Sequence, residues 1–85
     1  MLVASELERL LQAELPGAEQ VWVNDLTGNG DHFQVRVVSE AFAGLPMAAR
    51  HEQVFGALKA LLQTARVHAL ALETFTPEQW ARFGA

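Results

Sequence analysis

The chain of 85 residues contains no cysteine. It can therefore supply neither a disulfide framework nor a thiolate ligand for a metal, and sulfur-based covalent catalysis is excluded. Positive charge is also scarce, with six Lys and Arg against ten Asp and Glu and a formal charge of -4. The cations Arg9, Arg36, Arg50, Lys59, Arg66 and Arg82 are scattered along the chain, whereas phosphate recognition needs a clustered basic surface. Nonspecific affinity for nucleic acid is disfavoured. No run approaches the roughly 18 apolar residues of a membrane helix, and the start, Met1-Leu2-Val3-Ala4-Ser5-Glu6, lacks a basic region followed by a long apolar stretch. The expectation is a soluble cytoplasmic protein with no membrane partner.

What is present is the composition of a folded domain, 51% hydrophobic and 19% charged, and the length allows one core and one domain over residues 1–85. Ser5-Glu6-Leu7-Glu8 has the form of a capping box, with Ser5 accepting from a backbone N–H and Glu8 reaching back. Leu7, Leu10 and Leu11 follow at helical spacing, so a first helix is expected to end near Leu15-Pro16-Gly17, with Glu6, Glu8, Glu14 and Glu19 as a solvated acidic face. Gln20 to Asp25 carries Val21 and Val23 on one face of an extended segment, and Phe33, Val35 and Val37 repeat that period of two after Leu26-Thr27-Gly28-Asn29-Gly30-Asp31, so the two strands read as a hairpin. After a connection from Ser39 to Pro46, the residues Val54, Phe55, Leu58, Leu61 and Leu62 share one stripe of a second helix. Residues 67–74 read as a third strand. Thr76-Pro77-Glu78-Gln79 then offers a cap, a proline at the first helical position and a glutamine three after the cap, starting a short helix that carries Trp80 and Phe83 as core or lid.

The order αββαβα predicts an α+β sandwich, a three-stranded sheet with helices packed on one face. Strands two and three are joined through a helix, so they are parallel if they are neighbours.

The chemistry-bearing residue that stands out is His68, within Val67-His68-Ala69-Leu70-Ala71-Leu72. An imidazole among small and aliphatic residues is a candidate soft-metal ligand or partner contact; the structural alternative is a strand histidine bonded to a backbone carbonyl. His32 alternates with Gln34 and Arg36, opposite Phe33, Val35 and Val37, and should face solvent or a partner. Arg50 and His51 open the second helix, either as a partner or anion contact or as an exposed first turn. His51-Glu52 is followed by Phe55 where a zinc protease needs a second histidine. Gly28-Asn29-Gly30 lacks the lysine and the following helix of a phosphate loop, and its glycines more simply permit positive φ in a hairpin. No nucleophile, base and orienting group converge, so an enzyme is not expected.

Several of these pieces together resemble the BolA-like family: Gly30-Asp31-His32-Phe33-Gln34-Val35, Val38-Ser39-Glu40-Ala41-Phe42-Ala43-Gly44, Arg50-His51, Val67-His68-Ala69-Leu70 and Thr76-Pro77-Glu78-Gln79-Trp80 occur in the family's order and approximate spacing. The resemblance covers nearly the whole chain. It implies a fold similar to a class II KH domain and an adaptor role in iron–sulfur homeostasis, with links to stress response, through pairing with a monothiol glutaredoxin. In that family the pair can hold a bridging [2Fe-2S] cluster, with thiolates from glutaredoxin and glutathione and further ligands from the BolA-like chain. The resemblance carries the family histidine onto His68. The hairpin-loop ligand, Cys or His in the family, has no thiol here; the expected cysteine position falls at Asn29, so His32 or Asp31 would substitute. Asp31 is a hard oxygen donor poorly suited to such a site.

The expected site is therefore His68 and His32, with Arg50 and His51 as partner contacts, no cluster on the isolated chain, and a weak homodimer left open. The alternative function is a nucleic-acid-binding transcriptional regulator using a KH-like or helix-turn-helix surface, which would require Arg50, Lys59 and Arg66 to converge. The charge pattern leads to a test. Binding of the chain to duplex DNA at physiological salt should be no tighter than the nonspecific range of roughly 10⁻⁴ to 10⁻⁶ M, measured by fluorescence anisotropy; nanomolar, sequence-specific binding would reverse the order of the two functions.

Overall fold

The structure, a computed structural model, describes residues 3–15, 17–64 and 69–83. Its elements are α1 (Ala4–Glu14), β1 (Ala18–Asp25), β2 (His32–Ser39), α2 (Met47–Thr64), β3 (Ala69–Phe75) and α3 (Pro77–Phe83), with one turn of 3-10 helix at Glu40–Phe42. The strands form one mixed sheet in the order β1-β2-β3. β1 pairs antiparallel with β2 and β2 pairs parallel with β3, with α2 as the crossover. This is the α+β order read from the sequence. Among the described residues, no helix is long and apolar enough to cross a membrane.

The period-two pattern of β2 places Phe33, Val35 and Val37 in the core, joined by Val23 from β1. Leu7, Leu11 and Leu15 of the first helix and its end, and Val54 and Leu58 of α2, complete it on the same side of the sheet. Each such side chain contributes roughly 1.5–3 kcal/mol of transfer free energy, enough to set which face of the sheet is covered. Phe42, from the 3-10 turn, is fully buried in the same cluster. The turn itself is started by Ser39, whose Oγ accepts from Ala41 N at 3.1 Å.

The structure departs from the sequence reading in several places. α1 does not use the capping box: its first residue is preceded by Val3, with no side-chain cap. Glu8 is turned toward the sheet instead, and its carboxylate accepts from Val23 N at 3.1 Å. A tertiary acceptor role has displaced a local one, and Glu8 leaves the acidic face assigned to it. The stripe of α2 is narrower than expected, since Phe55 is 38% exposed while Val54 and Leu58 are fully buried. β1 begins at Ala18 with an irregular register between Ala18 and Gln20, and β3 runs to Phe75; the expected start of β3 at residue 67 lies outside the described residues.

α1 and α2 cover one face, as the sequence implied, whereas α3 turns over the far end of the other. Phe75, on the face opposite the core, meets Trp80 and Phe83 with ring centroids 5.4 and 5.6 Å apart. Trp80 thus acts as a lid while Phe83 stays 80% exposed. The capping box expected here is formed in full: Gln79 N donates to Thr76 Oγ1 at 3.1 Å and Thr76 N to Gln79 Oε1 at 3.0 Å.

Glu8→Ala should remove the acceptor of a partly buried N–H and cost about 1–2 kcal/mol, whereas Glu6→Ala on the exposed side should stay within about 0.5 kcal/mol. Urea unfolding midpoints of the two variants measure the difference, and equal midpoints would deny Glu8 its role in tying α1 to β1.

Candidate functional site

The hairpin loop is built around one carboxylate. Asp25, the last residue of β1, accepts from Gly28 N at 2.9 Å, from Gly30 N at 2.8 Å and from Thr27 N at 3.3 Å. Such convergence needs the chain to turn back on the side chain, and Gly28 and Gly30 make this turn with φ of 76° and 74°, values that an L side chain resists. Thr27 Oγ1 closes the loop on Asn29. Asn29, the position where a loop cysteine was expected, is thus a hydrogen-bonding residue on the exposed side of the turn. The loop ends by donating Leu26 N to His32 O at 2.8 Å.

His32 is therefore held at the first position of β2 by its own backbone. Its side chain is 43% exposed, with Nε2 3.6 Å from Asp31 Oδ2. In the sheet it is in register with Ala69, and Ala69 N donates to Asp31 O at 3.3 Å. His68, the residue immediately before Ala69 in the chain, lies outside the described residues. Among the described residues no group of three or more His, Cys, Asp or Glu could hold a metal ion.

Arg50 and His51 have separate fates, although they are adjacent. The expected exposed first turn does not hold for Arg50, which is only 6% exposed. Its Nε donates to Leu45 O at 3.0 Å and its Nη1 to Gln79 Oε1 at 2.8 Å, and its guanidinium carbon lies 5.9 Å from the centre of the Phe42 ring. It ties the start of α2 to the cap of α3. An open cleft of about 710 Å³ adjoins it, lined also by Glu40, Thr76, Glu78 and Arg82, but the two acids balance the two arginines and Arg82 is already paired with Glu78 at 2.8 Å. His51 is half-buried and meets Phe55 edge-on at 6.5 Å.

One group of residues went unread in the sequence. Trp22, Arg36 and Glu73 are register neighbours across the three strands on the face opposite the core. The Arg36 guanidinium lies between two indoles, 4.9 Å from Trp22 and 4.8 Å from Trp80, and its Nη2 reaches Glu73 Oε1 at 3.3 Å. Gln34 Nε2 donates to the same carboxylate at 3.4 Å. The signal was available in Trp22, a large aromatic on the otherwise polar side of β1, opposite Val21 and Val23.

Residues 11–79 match the family described as BolA-like protein. The chain belongs to the BolA-like family. It is 33% identical over 72 residues, 85% of this chain and 86% of the other, to the acid stress protein IbaG of Escherichia coli. It is 47% identical over 53 residues to the DNA-binding transcriptional regulator BolA of Vibrio cholerae, covering 62% of this chain and 49% of that one. Its fold is similar to the solved structure of BolA1 from Arabidopsis thaliana, with a TM-score of 0.79, 31% identity, and coverage of 89% of this chain and 93% of that one.

Replacing Arg50 by Ala should leave the Leu45 carbonyl and the Gln79 amide without their charged donor and lower stability by about 2–3 kcal/mol, while Arg82→Ala at the exposed pair should have little effect. Thermal unfolding of both variants checks this, and a negligible loss in Arg50→Ala would return that residue to the class of surface contacts.

Proposed function

We propose that this chain is a non-enzymatic BolA-like adaptor that pairs with a monothiol glutaredoxin to bind, traffic or sense a bridging [2Fe-2S] cluster as shared cargo. The observation that carries the reading is His32, 43% exposed at the sheet end where Ala69, the residue following His68, pairs beside it. Two imidazoles are what this chain would bring. The family's thiolates would come from glutaredoxin and glutathione, in keeping with a chain that has no cysteine. Histidine in place of thiolate leaves its iron with neutral ligation, raising the reduction potential and making the bond sensitive to protonation. Asp31, whose carboxylate adjoins the His32 ring, would orient that ring rather than ligate.

The name of the Vibrio cholerae relative supports the second reading, a DNA-binding regulator. Three facts weigh against it. Arg50, one of the three cations that reading needs, is buried and bonded internally, and Arg36 is stacked between indoles. Arg66, another of those three cations, lies outside the described residues and bears on neither reading. The connection Gly44-Leu45-Pro46-Met47 is not the Gly-x-x-Gly clamp by which a KH domain holds a nucleic-acid backbone.

The test is to co-express the chain with a monothiol glutaredoxin in the presence of glutathione and to follow the visible absorbance and circular dichroism of the purified pair. The isolated chain should retain no cluster after anaerobic reconstitution and desalting. His68→Ala should shorten the lifetime of the cluster in the pair far more than it lowers the unfolding midpoint, and His32→Ala tests the loop ligand in the same way. Were His68 only a hydrogen-bonded strand residue, its replacement would instead cost on the order of 1–3 kcal/mol of stability and leave the cluster spectrum unchanged.

A further inference from the structure

The two edges of the sheet are treated differently. On β1, the outward-pointing N–H of Val23 is taken by Glu8 and the carbonyl of Ala18 accepts from Gln12 Nε2 at 3.4 Å. Glu8 and Gln12 are one helical turn apart on α1, so one helix face occupies two of the outward backbone groups of that edge. β3 is the other terminal strand. Its polarity follows from a single bond: Ala69 N donates to Asp31 O, so Ala69, Ala71, Glu73 and Phe75 direct their N–H and C=O toward β2. Leu70, Leu72 and Thr74 direct theirs outward, and no side chain among the described residues occupies this edge as Glu8 and Gln12 occupy part of the other.

Beside the open edge runs an apolar row on α2. Met47 is 53% and Phe55 38% exposed, with His51 half-buried between them one turn from each. Met47 and His51 share a groove with Leu72, Glu73, Thr74 and Phe75, and Thr74 Oγ1 donates to Met47 Sδ at 3.1 Å. Four residues of α2 advance about 6 Å and two residues of β3 about 6.6 Å, so the row keeps step with the strand: Met47 beside Thr74, His51 beside Leu72, Phe55 toward Leu70.

We propose that β3 is a homodimerisation edge, pairing antiparallel with β3 of a second copy about a two-fold axis at Leu72 to continue the sheet. Parity and charge admit that register, and the α2 row, centred on His51 beside Leu72, favours it. With the axis at Leu72, the outward-pointing residues meet as hydrogen-bonding pairs, Leu72 with Leu72 and Leu70 with Thr74 of the second copy. The strand's one charge, Glu73, falls opposite Ala71 and keeps its own partner, Arg36, at 3.3 Å. An axis at Glu73 would instead set two carboxylates directly opposite each other, which is destabilising. The same axis brings Phe55 of one copy toward Met47 of the other, with the two His51 side chains near the axis. A second copy supplies both a strand for the edge and an apolar helix row for the groove, whereas an isolated extended peptide supplies only the first. Two-fold association of this kind uses one patch twice and closes, while two outward groups of β1 at the other edge are held by Glu8 and Gln12.

The absence of cysteine from the chain allows a direct test. Ala71→Cys and Glu73→Cys both lie on the face opposite the core, and in the proposed dimer they form a non-hydrogen-bonded pair about 4.5 Å apart at Cα, within disulfide range. Mixed under mild oxidation, the two variants should cross-link to each other at least about ten-fold faster than Ala71→Cys cross-links to itself or than either links to a Glu19→Cys control. Sedimentation equilibrium of the wild-type chain should show mass rising toward the dimer as concentration approaches on the order of 1 mM, and Phe55→Glu, at an exposed position that leaves the fold intact by circular dichroism, should return it to monomer. A chain that stays monomeric throughout that range, a dimer indifferent to Phe55→Glu, or cross-linking without preference for the 71–73 pair would overturn the proposal. Because none of these measurements involves iron or glutaredoxin, the outcome is independent of the adaptor function.

Discussion

β2 is the strand on which everything else is registered. It is central, antiparallel to one neighbour and parallel to the other, and those two pairings impose different connections. The antiparallel side is closed by a short loop, the parallel side only by a crossover, which must be right-handed and must lie over one face. That requirement puts α2 on the side of Phe33, Val35 and Val37 and delivers the chain after β3 to the end of the sheet where Ser39 leaves it. α3 then reaches the opposite face, where Val38 is buried outside the main core cluster. A central strand buried on both sides at one end explains why Val37, Val38 and Ser39 are buried in succession, where a half-exposed strand would alternate.

The two ends of β2 are secured in different ways. At the Ser39 end, Gln79 Oε1 accepts from both Thr76 N and Arg50 Nη1, so the cap of a short helix is also the anchor of a buried cation. A helix of this length would be marginal in isolation; here its start is fixed by a charge-assisted bond and its aromatic residues by Phe75. At the His32 end, order comes from the Asp25 carboxylate gathering backbone N–H groups of an exposed loop. Few apolar contacts support it, and regions of that kind open most readily. The half-exposed imidazole thus sits at the more yielding end of a strand whose other end is stapled.

How far the sequence revealed this depends on the range of each interaction. The six elements, the inward faces of β1 and β2, and the Thr76–Gln79 box depend on patterns a few residues long, and they are found as read. Glu8 and Arg50 were misplaced because a partner of each is distant in sequence, Val23 for Glu8 and Gln79 for Arg50, while Phe55 is left half-exposed on α2 beside His51. The local rule that made Glu8 a capping residue was sound, but an unsatisfied N–H on an edge strand outweighed it. Arg50 reads as an exposed first-turn cation until the return of α3 beneath it is known. The exposure of His32 was legible because it depends only on alternation along one strand.

Arg36 connects these observations. Its position in the central strand places it on the open face, its flat cation lies between Trp22 of one edge strand and Trp80 of α3, and its Nη2 meets Glu73 of the other edge strand. One side chain thereby couples all three strands and α3 on the face that α1 and α2 do not cover. Because the guanidinium is weakly hydrated and stays charged, it can be stacked and still neutralise a neighbour. The neutralised neighbour is the only charge on β3. Its side chain is drawn toward β2 by Arg36, so the stack that fastens α3 to the sheet also neutralises the one charge on β3, while at the opposite edge the carboxylate and amide of α1 hold two backbone groups of β1.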